Sequence, residues 1–191
     1  MPELKFDEKT HSYYLDGLKL PSVTSVLRDA RLFEYASGNE MYMDRGTNIH
    51  MLTELHDTGA LDESKVENSI LSYLYAWKRF KEDTGIEVLA IEEPVYHPIY
   101  LYAGKVDRRV RWNGNEAVID IKSGLYAPWH ALQTAAYAKT YGRTMLRFCV
   151  YLSDDGSYDL KEHLDPTDWD IFRSALAIAN WKRKNNLLRG V

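Results

Sequence analysis

Apolar positions recur along this chain at two spacings. Between Val66 and Asp83, Ile70, Leu71, Leu74, Trp77 and Phe80 follow the helical period and predict an amphipathic helix stopped by Gly85. Glu40 to Thr58 carries a second such stripe in Ile49, Leu52 and Leu55. Trp129 to Tyr141, rich in Ala and free of internal Gly or Pro, predicts a third helix. Trp169 to Asn185 predicts a fourth, with Phe172, Leu176 and Ala179 inward. Its start is written out in Asp165-Pro166-x-Asp168, and Lys182, Arg183 and Lys184 favour its C-terminus.

Shorter runs are β-branched or alternating. Ile86 to Tyr96, Lys105 to Arg111, Glu116 to Lys122, Met145 to Leu152 and Tyr158 to His163 read as strands. Pro94 marks the first of them as an edge or a bulge. Asn113-Gly114-Asn115 and Asp155-Gly156 read as hairpin turns, and Asp16-Gly17 closes a further hairpin over Phe6 to Leu20. Ser22 is a fitting cap for a short helix over Val23 to Asp29. That helix start, with its hydroxyls, reads equally as a phosphate site or as a capped helix packed on the core. The predicted order is hairpin, helices, three strands, helix, two strands, helix. With no repeat, low-complexity tract or linker, it predicts a single domain over residues 1–191.

Composition narrows the class. Hydrophobic residues make up 45 % and charged residues 27 %, which predicts a soluble globular protein with one real core. No apolar run nears the ~20 residues of a membrane span. Met1-Pro2-Glu3-Leu4-Lys5 lacks the apolar stretch of a signal peptide, so a cytoplasmic location is expected. The single cysteine, Cys149, excludes an intramolecular disulfide and a four-cysteine iron–sulfur cluster within the chain. A net charge of −4 argues against coating nucleic acid by bulk electrostatics, while a site lined by carboxylates remains compatible with it. Two local basic clusters stand out, Arg108-Arg109-x-Arg111 and Lys182-Arg183-Lys184, the second expected to be a solvated face.

The chemistry concentrates between Gly104 and Tyr137. In Val118-Ile119-Asp120-Ile121-Lys122, alternation puts Asp120 and Lys122 on one face and Ile119 and Ile121 on the other. By itself that face is as readily a solvated ion pair as a site. Asp107, however, falls on the neighbouring strand of the predicted hairpin. Two carboxylates on adjacent strands repel unless a cation lies between them, and an all-oxygen set favours Mg²⁺ over zinc, which prefers Cys and His. Such an ion lowers the pKa of an attacking water in phosphodiester hydrolysis. Lys122 either orients or deprotonates that water, or stays charged and stabilises the phosphate in the transition state. Gln133 and Tyr137 share a helix face one turn apart. They read as two donors for phosphate oxygens, or as a polar residue beside a core tyrosine.

Taken in order, Gly104-x-Val106-Asp107, Ile119-Asp120-x-Lys122-Ser123-Gly124 and Gln133-x-x-x-Tyr137 resemble the PD-(D/E)xK nuclease superfamily, in its RecB-like branch. Leu20 to Leu27 resembles the opening of RecB-like exonucleases of phages and mitochondria. The resemblance covers Leu20 to about Leu152. It implies an α/β fold of the restriction-endonuclease type, a mixed central sheet flanked by helices, with the N-terminal hairpin and C-terminal helix added. Through Arg45-Gly46-Thr47-x-x-His50 it implies that His50 joins the metal site; Glu54, one turn on, has no motif support. Glu93 falls where such chains often carry a Glu before the first core strand, and it is given no role.

The resemblance thus implies a Mg²⁺- or Mn²⁺-dependent DNA exonuclease of recombination or repair. Its metal ligands would be His50, Asp107, Asp120 and the carbonyl of Ile121, with Lys122 beside the water and Gln133 and Tyr137 on the DNA backbone. Its partners would be DNA with free ends and, for a phage protein in the host cytoplasm, a single-strand annealing protein. A structure-selective or restriction-type endonuclease and a non-catalytic DNA-binding module are the alternatives on the same fold.

Overall fold

A computed structural model describes residues 2–33 and 40–188, leaving aside the side chains of 40–44. The chain runs β1 (Leu4–Asp7), β2 (Ser12–Leu15), β3 (Leu18–Leu20), α1 (Val23–Asp29), α2 (Glu40–Asp57), α3 (Asn68–Thr84), β4 (Glu87–Tyr96), β5 (Ala103–Trp112), β6 (Asn115–Lys122), α4 (Trp129–Thr140), β7 (Leu146–Leu152), β8 (Tyr158–Glu162) and α5 (Thr167–Lys184).

The main sheet has five strands in the order β4-β5-β6-β7-β8. Its pairs are antiparallel except β6 with β7, which are parallel and joined through α4. The fold is therefore α/β with a mixed sheet. On one face, Val110, Ile119, Ile121 and Val150 pack against Ile49 of α2 and Trp77 and Phe80 of α3. On the other, Val106 and Val118 meet Val26 and Leu27 of α1, Leu132 and Ala136 of α4, and Phe172 and Leu176 of α5. Each buried Leu or Phe contributes roughly 1.5–3 kcal/mol. Period-2 alternation in β6 decides which side chain enters which core, and it sends Asp120 and Lys122 toward α4.

The sequence signals mark most boundaries. Ser22 Oγ accepts the Ser25 N–H at 3.0 Å and starts α1. Gly85 ends α3 in the left-handed region, φ 62°. The Asp165 carboxylate accepts the Thr167 N–H at 2.8 Å and opens α5. A 3₁₀ turn over Glu63–Lys65 delays α3 to Asn68, two residues beyond the expected start. The N-terminal hairpin is one strand larger than expected: Leu4–Asp7 pairs with β2, giving a three-stranded antiparallel meander. In α2, Ile49 and Leu52 are buried but Leu55 only half so; the inward stripe continues instead through Thr53. The Lys182-Arg183 pair is not a solvated face. Lys182 donates to the Asp29 carbonyl at 2.7 Å and Arg183 to its carboxylate at 2.6 Å, tying α5 to α1. No helix among the described residues is long and apolar enough to cross a membrane.

Candidate active site

The β5–β6 hairpin turns through Asn113 (φ 48°) and Gly114 (φ 79°), the left-handed pair that a two-residue type I′ loop requires. Its ladder runs from Trp112↔Asn115 to Arg108↔Ile119. At the next rung lie Asp107 and Asp120, only 7 % and 2 % exposed. There a side chain takes over from the backbone: Asp107 Oδ2 accepts the Ile121 N–H at 2.6 Å. A strand residue points its N–H and C=O to the same side, so the Ile121 carbonyl also faces β5.

Helix α2 delivers His50 to this rung. Its Nδ1 lies 3.5 Å from Asp107 Oδ2 and 3.9 Å from Glu92 Oε1. Among the described residues, His50, Glu92 and Asp107 present one donor atom each within 4.8 Å of one another. Glu92 arrives there through its backbone. It adopts φ 48° in the middle of β4, between the pairs Ile91↔Arg108 and Glu93↔Val106. A non-glycine residue in that region costs on the order of 1–2 kcal/mol. Lys105 Nζ at 2.8 Å and Arg108 at 3.5 Å hold its carboxylate in place. Glu93 is occupied elsewhere, bound by Arg109 at 3.0 Å and by the Tyr141 hydroxyl at 2.7 Å. Glu92 is thus the site residue the sequence reading passed over. The signal was the Glu92-Glu93-Pro94 run itself, but the backbone turn decides which carboxylate faces His50. Glu54 is half-buried and joins neither group.

Beneath this group Arg108 is fully buried. It donates to the Asp107 carbonyl at 2.6 Å, Thr53 Oγ1 at 3.0 Å and Asp57 Oδ2 at 2.7 Å, and lies 5.4 Å from the Trp77 ring centre. Arg109 pairs with Glu93 and Glu116, and Arg111 with Glu87. The basic cluster of β5 is therefore spent on carboxylates of this chain.

A second line of groups runs from Asp120 into α4. Lys122 Nζ lies 2.6 Å from Asp120 Oδ2, donates to Gln133 Oε1 at 2.9 Å and sits 5.2 Å from the Trp129 ring centre. Gln133 Nε2 in turn donates to the Tyr137 hydroxyl at 3.1 Å. Gln133 and Tyr137 are each 5 % exposed, so the structure places them behind Lys122 rather than at the surface. Gly104 explains how the ring fits. A Cβ there would lie 2.5 Å from Tyr137 Cε1, closer than side-chain atoms ever pack.

The electrostatics follow from burying several carboxylates together. Burial pushes Asp107 up to about 7; Asp120 and Glu92 add to this, while His50 opposes it. Burial would also raise Glu92, but His50 and Lys105 hold it down at about 2. His50 is raised, because Asp107 and Glu92 outweigh its burial. Lys122 is raised likewise, its burial outweighed chiefly by Asp120, and it stays charged. Burial, reinforced by Asp120 and Asp107, lifts the Tyr137 phenol far above its usual range, so it remains neutral. The donor set fits a hard or borderline divalent ion: an imidazole nitrogen, two carboxylates and a backbone carbonyl on the same side. The burial of Asp107, which leaves it drawing a proton, supplies the demand for one.

The chain matches no family model and no curated protein. Among solved structures it is similar to the alkaline exonuclease LHK-Exo. To the complex of LHK-Exo with dAMP the identity is 19 %, over 89 % of this chain and 95 % of that one, with a TM-score of 0.48. To a second structure, from Laribacter hongkongensis, it is 19 %, over 88 % and 94 %, with a TM-score of 0.42.

Proposed function

We propose that this protein is a divalent-metal-dependent nuclease that hydrolyses DNA from free ends. The observation that carries the reading is the meeting of His50, Glu92 and Asp107 within 4.8 Å, beside a charged Lys122 that Asp120 and Gln133 hold in place. His50, Glu92, Asp107 and the Ile121 carbonyl would hold the ion, with Asp120 at its margin. When bound, Mg²⁺ or Mn²⁺ supplies Lewis-acid activation of water and neutralises charge on the phosphate.

The chain's own residues do the rest. Lys122, raised and paired, acts as a cation: it binds a non-bridging phosphate oxygen and stabilises the charge that grows there during attack. Gln133 and Tyr137 act through it. The amide fixes the ammonium and the neutral phenol fixes the amide, in place of the direct contact with DNA expected from sequence. Arg108, by gripping the Asp107 carbonyl and Glu92, sets where two of the carboxylates lie.

End-labelled linear single-stranded DNA and closed circular single-stranded DNA, each incubated with Mg²⁺, Mn²⁺ or chelator, test the proposal. Loss of the linear substrate alone, only with metal, supports an exonuclease, and the fate of the label gives its polarity. Cutting of the circle makes it an endonuclease. If neither these substrates nor duplex ends are cut with any metal, the proposal is wrong.

A further inference from the structure

The loop between β6 and α4 begins directly after Lys122, and it presents two apolar side chains to solvent. Leu125 is 93 % exposed and Tyr126 54 %. They are held out by a fixed frame. His130, buried at the start of α4, accepts the Ala127 N–H at Nδ1 (3.3 Å), and the same nitrogen meets the Tyr151 hydroxyl at 2.8 Å. Because an N–H only donates, Nδ1 is the unprotonated nitrogen, and the tyrosine hydroxyl donates to it. The Tyr126 ring packs edge-on to His130, with centres 6.4 Å apart, and leans on Tyr151 at 6.3 Å. Lys161 of β8 places its ammonium 5.8 Å from the Tyr126 ring centre.

Two exposed side chains are far too little surface for a stable protein interface, which takes roughly 800 Å² from each partner. An exposed ring and a leucine in the loop that follows Lys122, with the Lys161 ammonium 5.8 Å from the ring centre, instead match the chemistry of a single nucleic-acid strand. Bases stack on the apolar surfaces while phosphates lie against the cations. We infer that Leu125 and Tyr126 form a base-stacking platform that receives the nucleotide next to the scissile phosphate, so that the site takes an unpaired strand. The inference rests on the nuclease reading and adds the substrate class to it. A base inside a duplex is stacked on both faces and has none to give to this platform, whereas every base of an unpaired strand can offer one.

The test separates binding from cleavage. Single-stranded oligonucleotides carrying 2-aminopurine at successive positions from either end are titrated with the Asp120→Asn protein. The same protein additionally carrying Tyr126→Ala, Leu125→Ala or Tyr126→Phe is titrated in parallel. Stacking quenches the probe at one defined position in the Asp120→Asn and Tyr126→Phe proteins. In the Tyr126→Ala protein the quenching is lost and affinity falls about tenfold. Without the Asp120 change, Leu125→Ala and Tyr126→Ala raise KM for single strands with little change in kcat. Unaltered quenching and affinity in Tyr126→Ala, or no binding of single strands by Asp120→Asn, overturns the inference. Intact quenching in a protein that cuts no nucleic acid with any metal overturns the nuclease reading and leaves the platform standing.

Discussion

Asp120, Gln133 and the Trp129 ring surround the Lys122 ammonium, and each of them argues for a fixed positive charge. Lys122→Ala therefore lowers kcat by about a hundredfold to a thousandfold, as does loss of a single charge-stabilising donor elsewhere. The circular dichroism spectrum stays unchanged, because the side chain ends at the edge of the core. His50 and Asp107 predict a pH dependence for metal binding. An ion must displace the proton that this buried pair retains near neutrality, so affinity is weak below Asp107's value of about 7 and strengthens as pH rises through it. Titration calorimetry with Mn²⁺ at pH 6, 7 and 8, in buffers of differing ionisation enthalpy, shows affinity rising and proton release falling along the series. A flat profile would mean that the ion binds elsewhere.

Among the elements, the β5–β6 hairpin was the most legible in sequence, because Asn113-Gly114 and the alternation on either side fix both turn and register. Gly104 was legible only as a motif letter. The structure gives its reason, the close approach of the Tyr137 ring. Gly104→Ala forces the ring to shift and costs about 1–3 kcal/mol, measured as a lower midpoint in urea, with the Gln133–Tyr137 pair disturbed alongside. Other features depended on context that no short window holds. Leu4–Asp7 becomes a strand only once β2 stands beside it. Arg108 looks like its neighbours Arg109 and Arg111, yet it lies on the opposite side of β5 under α3. His130 is a similar case, an unremarked residue in an Ala-rich helix that anchors the loop before it. Burial, helped by Lys122, depresses it to about 4. Between about 6.5 and 4 the unfolded chain binds a proton there that the folded chain refuses, so stability is lost as pH falls through that window. Asp107 and His50 work in the opposite direction over the same interval, so the His130 share is read by comparison: between pH 7.5 and pH 5 in chemical denaturation, His130→Gln loses less stability, or gains more, than the unaltered protein.

At the scale of the molecule, three elements have to stay in register for the site to exist, and Asp57 at the end of α2 links them. It accepts from Trp77 Nε1 at 3.1 Å and Lys81 Nζ at 2.5 Å, both on α3, and from Arg108 Nε at 2.7 Å on β5. Asp57→Asn keeps the shape but leaves buried cations short of a counter-charge, a loss of about 3–5 kcal/mol read from equilibrium unfolding. Metal affinity should fall with it, since Arg108 also holds Glu92 and the Asp107 carbonyl. The kink in β4 has one more consequence. β4 is an outermost strand of the main sheet, and such strands tend to recruit other chains into extended aggregates. The left-handed turn at Glu92, the proline at position 94 and the register shift between Val88 and Ala90 all interrupt the pattern that an incoming strand would have to match. The distortion that aims a carboxylate at His50 thus also protects this border of the sheet against unwanted self-assembly.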